Sequence, residues 1–330
     1  MSVSQAGDKA ATEHLIDFRG GKLWAQSGNL DADGPVRVFV HGNSAPGSVW
    51  LSETVKQYQD AGKPYVVFDL PGHGKSSAYD EYGINTMVGA LSAVITDLKL
   101  DQREEGYAGI GWSYGGNILM QAMEQKKLPG LAGLALVGTP PMNMDKREGL
   151  PSEFRASEAE SFAYDPVIKE AYFLTAELTS EQYKAMAKAF VCHSDNEGCG
   201  VPEALQQTLF ETDPNVRGDL LKSLLAGDIK DEINILANRE GVPLIMIFGE
   251  KDAVAGISYV KTIGPLIAPE HLTILPDTGH AVLTEKPAEA MNTLESALKE
   301  IIKPSSPESA PEQSGLERSG GPAKLVGVNP

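Results

Sequence analysis

Gly111-Trp112-Ser113-Tyr114-Gly115 puts a serine between two glycines, at the junction of an apolar run and a helical pattern. A serine hydroxyl is a weak nucleophile at neutral pH and gains reactivity from a base that takes its proton. A G-x-S-x-G turn between a strand and a helix exposes such a hydroxyl at the end of a sheet, and its glycines let helix and strand pass closely. The context fits this turn. Glu105-Gly106-Tyr107-Ala108-Gly109-Ile110 reads as a short strand, and Asn117 to Met123 reads as a helix.

The base must be a histidine oriented by an acid, and in this arrangement the chain order is serine, acid, histidine. Three histidines follow Ser113. His193 lies in a polar segment far from any strand end. His271 opens a strand and is aimed at the wrong end of a sheet. His280, in Pro276-Asp277-Thr278-Gly279-His280, follows the strand His271–Leu275 and is therefore the expected base. The acid is expected in the loop after the preceding strand, where Phe248-Gly249-Glu250-Lys251-Asp252 offers Glu250 and Asp252. Asp252 lies further past the strand and is favoured. Glu250 reads as a solvated partner of Lys251, and Asp277 is a weaker rival. Two backbone N–H groups must meet the negative charge that develops on the substrate oxygen. One is expected from Tyr114, the residue after the serine. The other is expected from His41-Gly42-Asn43-Ser44, with Asn43 as donor.

These residues need a scaffold. Val36–Val40, Tyr65–Asp69, Leu131–Val137, Pro243–Phe248 and His271–Leu275 are continuous apolar runs, the pattern of strands buried on both faces. Amphipathic helical patterns separate them: about Ser48 to Asp60, Thr86 to Leu100, Val254 to Ile267, and one from Pro287 with a Met291, Leu294, Leu298, Ile301 stripe. His14–Phe18 and Lys22–Ala25 flank Arg19-Gly20-Gly21 as a hairpin. Strands alternating with helices imply a mostly parallel sheet with helices on both faces and a ligand site at the carboxyl ends of the strands. The expected organisation is a tail over 1–13, a core over 14–141 and 240–302, a helical insertion over 142–239 lying across the site, and a polar, disordered tail over 303–330.

Composition narrows the chemistry. The 330 residues have a net charge of −17, which argues against nucleic acid as a partner. The segment from Pro140 to Ala237 holds 18 acidic against 9 basic residues, which either disfavours anionic substrates or serves ordinary solubility. No apolar run reaches the roughly 18 residues a membrane span needs, and the first residues lack a signal core, so a cytoplasmic chain is expected. Cys192 and Cys199 flank His193 in one short segment without a fourth ligand, and neither a metal nor a disulfide is expected there. No cofactor is expected, and the chain is expected as a monomer or homodimer.

His41-Gly42, Asp69-Leu70-Pro71-Gly72-His73-Gly74-Lys75-Ser76, Gly111-Trp112-Ser113-Tyr114-Gly115-Gly116, Gly249-Glu250-Lys251-Asp252 and Gly279-His280 together resemble the α/β-hydrolase superfamily over about Val36 to Ile301. The resemblance implies that fold, with the insertion as a cap. A narrower resemblance, to cap-bearing N-acyl-homoserine lactonases, rests on His41-Gly42-Asn43-Ser44, the Gly-Trp-Ser elbow, Leu131-Ala132-Gly133-Leu134, Gly138-Thr139-Pro140-Pro141 and Gly279-His280-Ala281. It implies serine attack on a lactone carbonyl without a metal, an acyl-enzyme, and an apolar channel under the cap. It also implies a cap tyrosine on the substrate, for which Tyr183 is the first choice. Trp112 and Ser44 join Tyr183 as expected substrate-binding residues. In that family the acid may be a Glu just after this Asp; here Ala253 and Val254 follow instead, so Asp252 must serve. Carboxylesterases, carbon–carbon bond hydrolases and cofactor-free haloperoxidases share the same motifs. A small-molecule receptor on this fold, with little turnover, is the reading from a different class.

Overall fold

The computed structural model describes residues 11–50, 53–141, 179, 212–252 and 254–302. Eight strands form one sheet: β1 (Thr12–Phe18), β2 (Gly21–Gly28), β3 (Val36–Val40), β4 (Tyr65–Phe68), β5 (Tyr107–Trp112), β6 (Leu131–Val137), β7 (Leu244–Gly249) and β8 (His271–Leu275). Their order across the sheet is β1-β2-β4-β3-β5-β6-β7-β8. β2 runs antiparallel to both neighbours, and every pairing from β4 onward is parallel. The hairpin closes at Phe18 opposite Gly21, with Arg19 and Gly20 both at positive φ, the turn type whose twist matches paired strands.

The helices described are α1 (Glu53–Asp60), α2 (Ile84–Asp97), α3 (Tyr114–Glu124), α4 (Asn215–Ala226), α5 (Glu232–Ala237), α6 (Ile257–Ile267), α7 (Val282–Glu285) and α8 (Pro287–Ile301). Side chains alternate across each central strand, which splits the core into two layers. Val38, Val40, Leu134, Leu136, Leu244 and Met246 face α2, α3 and α6. Phe39, Ile110, Ala135, Val137, Ile245 and Ile247 face α1 and α8, where Met291, Leu294 and Leu298 of the expected stripe are buried. Each large apolar side chain removed from water in this way contributes about 1.5–3 kcal/mol, so the central strands anchor the described core. β1 lies at an edge, and only Ile16 of its residues is fully buried. Val216 and Leu220 of α4 and Ile233, Ile235 and Leu236 of α5 pack into the same layer as α2 and α3. Among the described residues no helix is long and apolar enough to cross a membrane.

The site end of the sheet depends on glycine. A Cβ on Gly109 would stand 2.7 Å from a Leu119 methyl, and one on Gly111 would stand 2.4 Å from the Gly116 nitrogen. Without side chains there, α3 crosses β5 closely enough to force the chain into a sharp corner at Ser113.

Candidate active site

Ser113 sits at the corner between β5 and α3 with φ 53° and ψ −124°, a conformation costly for any residue with a Cβ. The corner is held from both sides. The Ser113 N–H donates to the Val137 carbonyl at 2.9 Å, and the Gly116 N–H donates to the Ser113 carbonyl at 3.0 Å. A Cβ on Gly115 would lie 2.1 Å from the Val40 carbonyl oxygen, and one on Gly116 would lie 2.0 Å from the Thr139 hydroxyl. The elbow thus wedges between the ends of β3 and β6, and only glycine fits on its flanks.

Asp252 follows β7 and His280 follows β8. His280 Nδ1 lies 3.0 Å from each oxygen of the Asp252 carboxylate, and both side chains are buried. Asp252 Oδ1 also accepts the N–H groups of Val254 and Ala255, both at 2.8 Å. Three contacts therefore orient the carboxylate, and the carboxylate fixes the imidazole with a proton on Nδ1, leaving Nε2 as the basic nitrogen. The two loops are pressed together at Gly249, where a Cβ would meet the Thr278 and Gly279 carbonyls at 2.2 Å. A Cβ on Gly138 would stand 3.2 Å from His280 Nδ1 and 3.3 Å from Asp252 Oδ2. Because Val137 holds the Ser113 amide, the end of β6 brings the His280–Asp252 pair and the serine to one place.

The loop after β3 closes the other side. A Cβ on Gly42 would be 3.1 Å from Ser113 Cβ and 3.2 Å from the Trp112 ring, so this loop lies directly against the serine. Asn43 is buried, and its side-chain oxygen accepts from the Ser44 hydroxyl at 3.4 Å. Tyr114 opens α3, at a helix end whose first N–H groups have no partner within the helix.

Trp112 is placed as a support: its indole N–H donates to the His280 carbonyl at 3.0 Å, and its ring lies 5.7 Å from the imidazole and 6.5 Å from Trp50. Ser44 is fully buried at φ 63°, with its N–H donating to His73 and its hydroxyl 3.3 Å from Arg217 Nη1. Tyr183, His193, Cys192 and Cys199 lie outside the described residues. His271 opens β8 and pairs with Glu300 at 3.3 Å, away from the carboxyl ends. Glu250 accepts the Asp277 N–H, and Lys251 pairs with Asp277 at 2.9 Å. Asp252 is the acid whose carboxylate faces His280 Nδ1.

Sequence reasoning gave His41, Asp69, His73 and Arg217 no role in the site. Asp69 is buried and accepts the N–H groups of Gly47 at 2.6 Å and Lys75 at 2.8 Å, and burial pushes its carboxyl up to about 6. Burial also holds the His73 imidazole down at about 4, and burial together with the neighbouring His73 holds His41 lower than an ordinary imidazole. The signal available was the presence of a histidine in each of the loops following two neighbouring strands.

A strained serine between β5 and α3, an acid after β7 and a histidine after β8 define a class of fold and site. Residues 38–294 match the model of the alpha/beta hydrolase family, and the chain belongs to that family. A 2-succinyl-6-hydroxy-2,4-cyclohexadiene-1-carboxylate synthase of Salmonella paratyphi A is 26% identical over 273 residues, covering 80% of this chain and 94% of the synthase. The N-acyl homoserine lactonase AidH, solved with N-butanoyl homoserine, superposes with a TM-score of 0.70 at 19% identity, over 88% of this chain and 97% of that one. The esterase RhEst1 of Rhodococcus sp. ECU1013 superposes with a TM-score of 0.67 at 22% identity, over 88% of this chain and 99% of that one. At these identities the superpositions establish a shared fold.

Proposed function

We propose that the chain is a serine hydrolase that opens the lactone ring of N-acyl-homoserine lactones, or cleaves a related ester. Ser113 is the nucleophile, His280 the base and Asp252 the acid. The observation that carries this reading is the buried His280–Asp252 pair packed against Gly138, one residue beyond the carbonyl that holds the Ser113 amide.

In this mechanism His280 Nε2 takes the Ser113 proton as Oγ bonds to the substrate carbonyl carbon. The oxygen becomes negative and receives the Asn43 and Tyr114 N–H groups. Donors fixed in advance stabilise that charge more than they stabilise the neutral ester, which is what accelerates the step. The ring C–O bond then breaks, and His280 returns the proton to the leaving alkoxide, which stays tethered to the acyl group. Water, deprotonated by His280, attacks the acyl-serine and releases a hydroxy acid and the free serine. Each turnover consumes one water and adds one carboxyl group.

The lactone preference draws support from the motifs shared with lactonases and from the AidH superposition. A second reading draws support from the synthase relatives, matched over 94% of their length: the same three residues would act on a substrate of the succinyl cyclohexadiene carboxylate kind. One experiment separates the readings. The purified chain is given acyl-homoserine lactones of several chain lengths, simple esters and a succinylated cyclohexadiene carboxylate precursor, with products followed by mass spectrometry. A gain of one water by the lactones supports the first reading. Turnover of the carboxylate precursor alone supports the second, and no turnover of any substrate overturns the enzyme reading.

A further inference from the structure

The loops after β3 and β4 exchange hydrogen bonds through their histidines. His41, in the first loop, accepts the Leu70 N–H of the second on Nε2 at 2.9 Å, and its Nδ1 lies 2.8 Å from the Gly42 carbonyl. His73, in the second loop, accepts the Ser44 N–H of the first on Nε2 at 3.0 Å, and its Nδ1 lies 2.9 Å from the Pro71 carbonyl. A backbone N–H only donates and a carbonyl only accepts, so both rings carry their proton on Nδ1 and both are neutral. The ring centroids lie 4.8 Å apart with the planes tilted by 59°, and both rings are buried. Asp69 adds a third tie between the same loops through the Gly47 N–H.

We propose that His41 and His73 are positioning residues, a reciprocal clasp that holds the Asn43 amide where the negative substrate oxygen forms, and that the clasp works only while both imidazoles are neutral. This rests on the serine hydrolase reading above. The clasp engages the Ser44 N–H, which removes it from the set of donors and leaves Asn43. It brackets Asn43 from both sides, through His41 and Ser44, while Gly42 is pinned against Ser113. Protonating either ring removes an Nε2 acceptor and leaves a buried N–H facing another N–H, so the loops must part. The charged groups around the clasp are Arg217 and Asp213 beside His73, with Asp69 and Lys75 in the same loop as His73. Arg217 disfavours a second positive charge on His73, while Asp213 favours it, and burial outweighs both.

Four proteins test the clasp: the native chain, Ser113→Ala, His73→Leu and His73→Gln. Leucine fills much of the space but accepts no hydrogen bond, whereas the glutamine side-chain oxygen can accept the Ser44 N–H. With an ester or lactone substrate, His73→Leu is expected to lower kcat about 100-fold, the loss typical of a displaced oxyanion donor. KM should stay within about twofold, since an interaction made only in the transition state is lost. His73→Gln should regain about tenfold of that loss. A folded His73→Leu protein with native kcat, alongside an inactive Ser113→Ala, overturns the clasp alone. An active Ser113→Ala protein overturns the hydrolase reading beneath it. Should His73→Leu fail to fold, nitrogen-15 spectra of the native histidines decide the matter. Both rings are expected as the neutral Nδ1–H form from pH 7 down to pH 5, and an Nε2–H form or an imidazolium in that range contradicts the clasp.

Discussion

His280 Nδ1 stands equidistant, at 3.0 Å, from the two oxygens of Asp252, and neither side chain is exposed to water. An acceptor in that position dictates which ring nitrogen carries the proton and, in the proposed mechanism, stabilises the imidazolium formed when His280 takes the serine proton. Asp252→Asn replaces half of the acceptor with a donor and permits the opposite tautomer. It is expected to lower kcat about 10³–10⁴-fold. The fold should survive, because an amide oxygen still accepts from Val254 and Ala255. A steady-state assay of the folded variant checks this; native kcat would mean that another acid serves.

Gly115 is the elbow glycine that packs against the β3 backbone. A Cβ there meets the Val40 backbone oxygen at 2.1 Å, and a backbone atom of a central strand does not step aside as a side chain tip does. Gly115→Ala is expected to destabilise the chain by about 3 kcal/mol, at the upper end of ordinary overpacking. Urea denaturation gives the value. A Gly218→Ala control, also inside a helix and without positive φ, meets no atom within 4 Å, so the difference between the two variants isolates the collision.

The buried titratable groups near Asn43 predict opposing pH slopes. His73 falls from the ordinary 6.5 to about 4 in the folded chain, so its contribution is complete above 6.5 and is lost as pH drops through about 4. Asp69 rises from 3.8 to about 6, so its contribution is complete below 3.8 and is lost as pH climbs through about 6. Each group contributes a slope of about 1.4 kcal/mol per pH unit between its two values. Between pH 6 and 4.5 the native chain should therefore lose stability more steeply than His73→Gln, and Asp69→Asn should lose it more steeply than the native chain. Urea unfolding across that range measures both differences, and parallel curves for all three proteins contradict the assignments.

Much of this arrangement was legible in the chain, because parallel strands read as unbroken apolar runs and their ends mark the site. Val36–Val40, Leu131–Val137 and His271–Leu275 are strands with the bounds read from the sequence. The rule that the base follows a strand end separated His280 from His271. Where the reading drifted, a tertiary contact intervened. The helix expected from Val254 begins at Ile257, because the Val254 and Ala255 amides are committed to Asp252. The strand expected to end at Ile110 continues to Trp112, since Gly111 is extended there to let α3 pass. Where a helix was expected from Ser48, the described residues form a short 3-10 turn over Gly47–Trp50 and α1. The exchange between His41 and His73 was legible only as a histidine in each of two neighbouring loops, because its partners are backbone amides that carry no sequence signal.

The central claim is that Ser113 becomes covalently acylated. Intact-mass measurement after brief exposure to a fluorophosphonate, followed by peptide mapping, tests it most directly. One adduct is expected, on the peptide containing Ser113, with ester turnover falling in proportion to labelling and no adduct on Ser113→Ala. Full labelling of Ser113→Ala, or a native chain that turns over esters while Ser113 remains unmodified, would contradict the account.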